Sequence, residues 1–556
     1  MKKILFILFG TITLSCKTST NTTKRESKIE FGNWYKEDFT SCGIPGISLF
    51  KATSKLKSNK NTIVVAVLDT QIDTAHEDLK KSLWTNKNEV AENGIDDDQN
   101  GYIDDVYGWN FLGTKSGNYI VWGNFEYTRI VREYEPVFGN KKQEEILSKD
   151  KDRYEQYVRA VDYQNKWSKF YKSYLKSMKY NISLFKKTKD TLRYFFPRED
   201  YTLSQLDSLY KKSKVNDKSY YERRDSNDQD LGAMINSFIA NLEINVRSYD
   251  DLIEHNAQKD SIFNKNCNPD YNERLFVDDN SDILTSGYGT NKINAKIHGI
   301  RVFNDHSTKV SSIIAAEIKN DKGIEGFSDS IKIMPLSISP SGDEHDKDIA
   351  LAIRYAVDNG AKVINMSFAK EFTMYPDFTK EAFKYAEKHD VLLVHAAGNN
   401  GFDADNKQVY PSDYFYDNQP EVSANFINVG SINKNYGEKM VSRFSNYGKK
   451  NVDLFAPGEG IYTAIPDNKY GFDSGTSLAA PMVSGTAALL WLHYPKLTVQ
   501  QVKQIILESG TSHDIEVIVP GTKDKKVKFS ELSKTGKVLN VFNAMQMAEK
   551  ISKTKS

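Results

Sequence analysis

The sequence predicts a doubly wound α/β fold with a mostly parallel central sheet, interrupted by an α-helical insertion. Two observations carry this. Continuous apolar, β-branched runs alternate with amphipathic segments of helical period. Between the first and second of those runs lies a long polar stretch whose only apolar periodicity is helical.

The first run, Thr62 to Leu68, ends at Asp69-Thr70 and reads as a strand buried on both faces, as parallel sheets require. Equivalent runs are Ile331 to Ile338, Lys362 to Met366, Val391 to Ala396 and Phe426 to Val429. Helical patterns at Asp348 to Ala356 and Phe378 to His389 fall between them. In the stretch 113–297, one apolar stripe runs from Trp167 through Phe170, Tyr174, Met178 and Ile182 to Phe185, and a second from Leu231 through Ile235, Phe238, Leu242 and Val246 to Tyr249. Two such stripes bury each other as a helical hairpin or small bundle; a groove for a partner protein is the other reading.

Composition limits the function. Of 556 residues, 39% are hydrophobic and 12% aromatic, enough for large cores. With 75 Lys plus Arg against 74 Asp plus Glu, no net field draws the chain to nucleic acid. Three cysteines, Cys16, Cys42 and Cys267, cannot form a disulfide framework for a chain of this size.

At the N-terminus, Lys2-Lys3 precedes an apolar run from Ile4 to Leu14 and then Ser15-Cys16, an export signal too short to span a bilayer. The Cys after a small residue resembles a bacterial lipoprotein cleavage site, which implies a lipid on Cys16 and a membrane anchor at the cell envelope. Leu14 stands two positions before Cys16 where the usual motif has Leu at the third, so plain cleavage to a secreted or periplasmic soluble protein stays open. The expected organisation is signal peptide 1–16, tether 17–31, core 32–112, insertion 113–297, core 298–548 and tail 549–556.

Three segments carry the chemistry. Asp69 closes a buried strand, where α/β domains place their sites. In Asp305-His306-Ser307-Thr308, the apolar pattern of Val310, Ile313 and Ile314 sets a helix that starts near His306. Gly475-Thr476-Ser477 opens a helix of small residues, which puts Ser477 at the positive end of a helix dipole. In this order the segments resemble the Asp, His and Ser signatures of the subtilisin-like serine proteases, over roughly residues 32–112 and 298–548.

The resemblance implies the subtilisin-like three-layer fold and an exported serine endopeptidase acting on protein or peptide substrates. Ser477 would be nucleophile, His306 general base and then acid, and Asp69 the carboxylate that fixes the imidazole. Asn399, in Gly398-Asn399-Asn400, matches the oxyanion-hole amide, with Asn400 as a turn residue. An extended substrate would pair by strand addition with both flanking segments, Asn365 to Ala369 (with Ser367, Phe368 and Ala369 as contacts) and Ala396, Ala397 and Gly398. Ser307, Ala369 and Gln71 replace glycines usual in the family and add bulk near the cleft. His298-Gly299 also starts like a His motif, but no apolar helical pattern follows it. The segment between Cys16 and the first strand leaves little room for an inhibitory prodomain, and the insertion is placed to guard the cleft instead. A silent scaffold that binds a surface partner through the insertion is the alternative.

From Asn93 to Asp105 an acidic loop presents oxygen side chains at alternate positions around Gly101. That spacing suits structural calcium, with Asp96, Asp98, Asn100, Tyr102 and Asp104 as candidate ligands; a solvated acidic turn is the competing reading. Tyr107 at the twelfth loop position excludes an EF-hand.

Overall fold

In the computed structural model, residues 32–56, 61–114, 116, 119–294, 305–414 and 420–553 are described. Cys16, the tether and His298-Gly299 lie outside them.

Nine strands form the main sheet. In chain order the strands are β1 (Ile63–Asp69), β2 (Trp109–Asn110), β3 (Ile331–Ser337), β4 (Val363–Met366), β5 (Leu392–Ala396), β6 (Phe426–Ile432), β7 (Leu454–Pro457), the hairpin β8 (Glu459–Ile465) and β9 (Lys469–Ser474), β10 (Thr511–Ser512), the hairpin β11 (Glu516–Ile518) and β12 (Lys526–Lys528), and β13 (Lys537–Val538). The main sheet runs β10-β13-β7-β6-β5-β4-β1-β3-β2 and is parallel except for the β10–β13 pair. β1 lies between β3 and β4, so the winding reverses direction there, and Asp69 ends the strand at that switch point. Open α/β sheets bind ligands in the crevice at such a point.

Successive side chains of β1 face opposite sides. Val65 and Val67 join the core under the helices His306–Ala315, Thr476–His493, Val499–Ser509 and Val541–Lys553. Ala66 and Leu68 join the core under Asp346–Asp358 and Pro376–Lys388. The result is three layers, helix on sheet on helix. The last helix continues to Lys553, past the expected start of the tail at 549, because Ala548 is buried and Ile551 packs on the core.

The insertion is helical, with Glu126–Phe138, the 45-residue Lys151–Phe195, Leu203–Ser213, Leu231–Glu243 and Tyr249–Ser261 as its longer helices. The two stripes do meet: Met178, Phe185, Ile235 and Phe238 share one buried cluster. The second stripe, however, is not one helix. Asn245 adopts a left-handed φ of 59°, and the Ser248 hydroxyl accepts from the Asp251 N–H to cap a new helix. Val246 and Tyr249 keep their place in the cluster across that break.

Nor is the insertion a separate body. Asn110 and Thr290 pair antiparallel, and Trp122 bridges to Ser341. A buried ionic network joins its base to the core. Lys370, fully buried, lies 2.8 Å from Asp346 and 3.4 Å from Glu126, while Arg129 pairs with Glu126 and Glu273. His345 Nε2 lies 2.8 Å from Glu273, and Arg274 pairs with Asp348. Cys42 and Cys267 are not joined in a disulfide. Among the described residues, no helix is long and apolar enough to cross a membrane.

Candidate active site

Asp69 and His306 come together from the end of β1 and the first residue of the His306–Ala315 helix. The imidazole Nδ1 lies 2.8 and 2.9 Å from the two Asp69 carboxylate oxygens. Asp69 is buried while His306 keeps 31% of its side chain exposed, so the imidazole is the solvent-facing member of the pair. With Nδ1 committed to the carboxylate, Nε2 is the nitrogen left for a hydroxyl. Burial works against an imidazolium here, but the Asp69 charge and hydrogen bond, with Asp305 beyond, outweigh it and raise the His306 pKa. The Thr70 hydroxyl accepts from the Ser307 N–H at 3.1 Å and fixes the helix start against β1.

Ser477 stands at the start of the Thr476–His493 helix, whose other residues are all buried except His493. Pro481 lies inside this helix. Having no N–H, it cannot donate to the Ser477 carbonyl four residues earlier. The Ser367 hydroxyl donates there instead, at 2.8 Å. Ser367 is itself held by Asn365 Nδ2 at 2.8 Å, and Asn365 Oδ1 accepts from Ser484 Oγ at 2.9 Å. The proline in the sequence and the serine beyond β4 are thus one device that ties the Ser477 backbone to the 367–369 segment.

Asn399 faces the same helix start. Its Oδ1 accepts from the Thr476 N–H at 2.9 Å and the Thr476 hydroxyl at 3.0 Å, which leaves Nδ2 free to point outward. A Cβ built on Gly475 would meet Ser477 Oγ at 2.8 Å and Asn399 Nδ2 at 3.5 Å, so hydroxyl and amide border one small space. A side chain at 475 would fill it. The structure therefore brings together Asp69 with His306, and Ser477 with Asn399. Among the described residues no hydrogen bond joins His306 to Ser477; catalytic contacts of this kind often tighten only when substrate is bound.

The flanking segments differ in what they offer. Ala397 N–H donates to the Val429 carbonyl at 3.0 Å, and Gly398 N–H to the Thr476 hydroxyl at 3.1 Å. Both donors are committed internally, so Ala396-Ala397-Gly398 is a wall more than a pairing strand. Asn446, unmarked in the sequence reading, secures that wall through Nδ2 to the Ala397 carbonyl and its own N–H to the Gly398 carbonyl, at 2.8 and 2.9 Å. Gly398, at a φ of 103°, lets the chain turn there. Ser367, Phe368 and Ala369 follow the end of β4, the strand that pairs with β5. His395, beside this strand, is buried and held at about 4 by burial, so it is a neutral packing residue.

In the acidic loop, Asp96, Asp98 and Glu89 each bring a carboxylate oxygen within 4.8 Å of the others. Glu89 went unnoticed in sequence because it precedes the alternating run; its oxygens accept from the Asp98 and Asp104 N–H groups, both at 3.1 Å. The oxygen-only donor set suits a hard cation. Burial, then the charges of Asp105 and Asp98, are the causes that raise the Glu89 pKa, against hydrogen bonds that lower it. Asn100 bonds through its side chain to Asp105, and Asp104 caps the Asn93 and Gly94 N–H groups, so neither belongs to that cluster. The Tyr102 ring packs against Trp109 and Tyr355 in the core and leaves only its backbone for a cation.

The subtilase family model matches residues 60–531. The chain is 32% identical over 266 residues to the cell wall-associated protease of Bacillus subtilis (strain 168), covering 45% of this chain and 28% of that protein. It is 38% identical over 188 residues to the thermophilic serine proteinase of Bacillus sp. (strain AK1), covering 34% and 42%. A solved protease structure from Pseudoalteromonas arctica PAMC 21717 is 25% identical with a TM-score of 0.35, covering 44% of this chain and 70% of that one. The chain spans less than half the length of the two Bacillus relatives.

Proposed function

Since the chain belongs to the subtilase family, we propose that it is a serine endopeptidase in which Ser477, His306 and Asp69 form the triad and Asn399 the oxyanion hole. The observation that carries this reading is the Asp69–His306 pair, with both carboxylate oxygens on Nδ1 and Nε2 left for the nucleophile.

His306 takes the Ser477 proton as the oxygen attacks the peptide carbonyl, and the resulting imidazolium is stabilised by Asp69. Asn399 Nδ2 and the Ser477 N–H hold the oxyanion. His306 then gives the proton to the departing amine, and water releases the acyl group by the same steps reversed. Extended substrate lies along Ser367, Phe368 and Ala369 by strand addition. Glu89, Asp96 and Asp98 would hold calcium, which would supply counter-charge to their loop and a structural brace. Export, with a lipid on Cys16 as the anchor, completes the reading.

A fluorophosphonate probe tests it. Labelling of the full chain that disappears in Ser477→Ala is the expected result. Absence of labelling in the presence of calcium favours a silent scaffold.

A further inference from the structure

Where the insertion meets the 367–369 segment there is a cavity of about 270 Å³. Its core-side wall includes Ala369, two residues past the Ser367 hydroxyl that holds Ser477, and Asn400, the neighbour of Asn399. Two of its lining residues thus continue the segments that flank the nucleophile. The insertion supplies five rings of the wall, Phe125, Tyr127, Tyr163, Trp167 and Tyr171, and the core adds Phe372 and the charged residues Asp343, Lys370 and Glu371. Phe125 and Tyr127 stack with centroids 5.4 Å apart, and Trp167 and Tyr171 lie 6.1 Å apart.

The charges in this wall are unequally committed. Lys370 is consumed by Asp346, Glu126 and the Glu344 carbonyl. Glu371 is held by the Tyr163 hydroxyl at 2.6 Å and by Lys407 at 3.4 Å. Arg129 reaches the backbone carbonyl of Asp343 and not its carboxylate. Asp343 Oδ2 accepts from the Glu126 N–H at 2.8 Å, while Oδ1 makes no hydrogen bond among the described residues. What remains is one uncommitted carboxylate oxygen among aromatic faces.

We propose that this pocket takes the side chain of a lysine or arginine next to the bond being cut, with the cation against Asp343 and its stem and charge against the insertion's rings. Aromatic faces attract a cation, and a carboxylate adds a charge-assisted hydrogen bond. Burial acts to raise the Asp343 pKa ahead of the Glu126 N–H and Arg129 that lower it, and an arriving cation relieves that burden. The proposal rests on the peptidase reading and goes beyond it by naming the substrate class. It also gives the insertion a role: the aromatic wall belongs to the insertion, while the carboxylate comes from the core.

Binding tests this without turnover. The full chain carrying Ser477→Ala is titrated with acetyl-Ala-Ala-Pro-X-amide peptides in which X is Arg, Lys, citrulline or Phe. Quenching of Trp167 is the readout, with Trp167→Phe as the control. The Arg and Lys peptides should bind about tenfold tighter than the neutral citrulline isostere, roughly 1.4 kcal/mol. Asp343→Asn, which keeps an oxygen for the Glu126 N–H, should bring that ratio to near one. Equal binding of Arg and citrulline peptides, tighter binding of Phe, no binding of any peptide, or a ratio that survives Asp343→Asn overturns the proposal. Failure of the peptidase reading shows separately, as loss of fluorophosphonate labelling in the chain with Ser477 intact.

Discussion

Lys370 is one of the buried cations that join insertion and core, and Lys370→Met removes its charge while keeping much of its length. Its Nζ lies 2.8 Å from Asp346, 3.4 Å from Glu126 and 2.7 Å from the Glu344 carbonyl, with no exposure. Glu126 keeps Arg129 and the Met374 N–H. Asp346 keeps three donors on Oδ2, from Thr373, Met374 and Tyr375 at 2.8 to 2.9 Å, but loses the counter-charge on Oδ1. Breaking a buried pair on one side costs about 3–5 kcal/mol. Burial acts to raise the Asp346 pKa, and Lys370 leads the causes that lower it on balance. Its stabilising share is therefore present above the unfolded carboxylate range and lost as pH falls through the lowered folded value. Without Lys370 the folded pKa rises, so the variant's deficit should be largest near neutrality and shrink toward pH 4, where Asp346 takes a proton. Urea unfolding of both chains at pH 7 and pH 4.5, followed by fluorescence and far-UV dichroism, reads the difference. Adding Asp346→Asn should recover part of the loss. A deficit below about 1 kcal/mol at pH 7, or one that does not change with pH, refutes the reasoning.

Three further outcomes are expected. The raised His306 pKa places the acid limb of kcat/KM above the ordinary histidine value, because the base must be neutral; Asp69→Asn should move the limb down as well as slow the reaction, and a limb at or below about 6.5 in the unsubstituted chain contradicts this. Asn399→Ala should lower kcat by about 10²–10³ with little change in KM, a magnitude measured for the equivalent change in this family rather than worked from these distances. Chelation should lower the melting temperature of the unsubstituted chain, and Glu89→Gln should weaken that response; a melt indifferent to both calcium and chelator removes the metal.

The sheet was legible where burial on both faces produced long β-branched runs: β1, β3, β4 and β5 fall within one residue of the runs that predict them. β6 continues to Ile432, past the expected end at Val429, because Gly430 and Ser431 break the apolar run but still fit the strand, Gly430 against the Phe455 ring and the Ser431 hydroxyl against that of Ser442. The short strands β7, β10 and β13 carry no run long enough to read. His306 at a helix start and Ser477 beyond a glycine turn were legible because each depends on local pattern. Asn446, Ser367's grip on Ser477 and the ionic base of the insertion were not, since each is a polar contact between segments far apart in sequence. Glu126 and Arg129, charged residues that no local pattern marks as buried, pack against Lys370 and Glu273.

The 45-residue helix behaves as a mast about 67 Å tall. Its foot, around Tyr157 and Ala160, is packed against Phe372 of the core, and its crown, around Met178 and Phe185, is packed only among inserted helices. Partway up, the Tyr174 hydroxyl meets His255 Nε2 at 2.8 Å, so outgoing and returning chains touch there. A short turn joining those two positions would lift off the crown and spare Glu273 and Arg274, whereas excision of the whole insertion would strand His345 and Asp348 in the core without their partners.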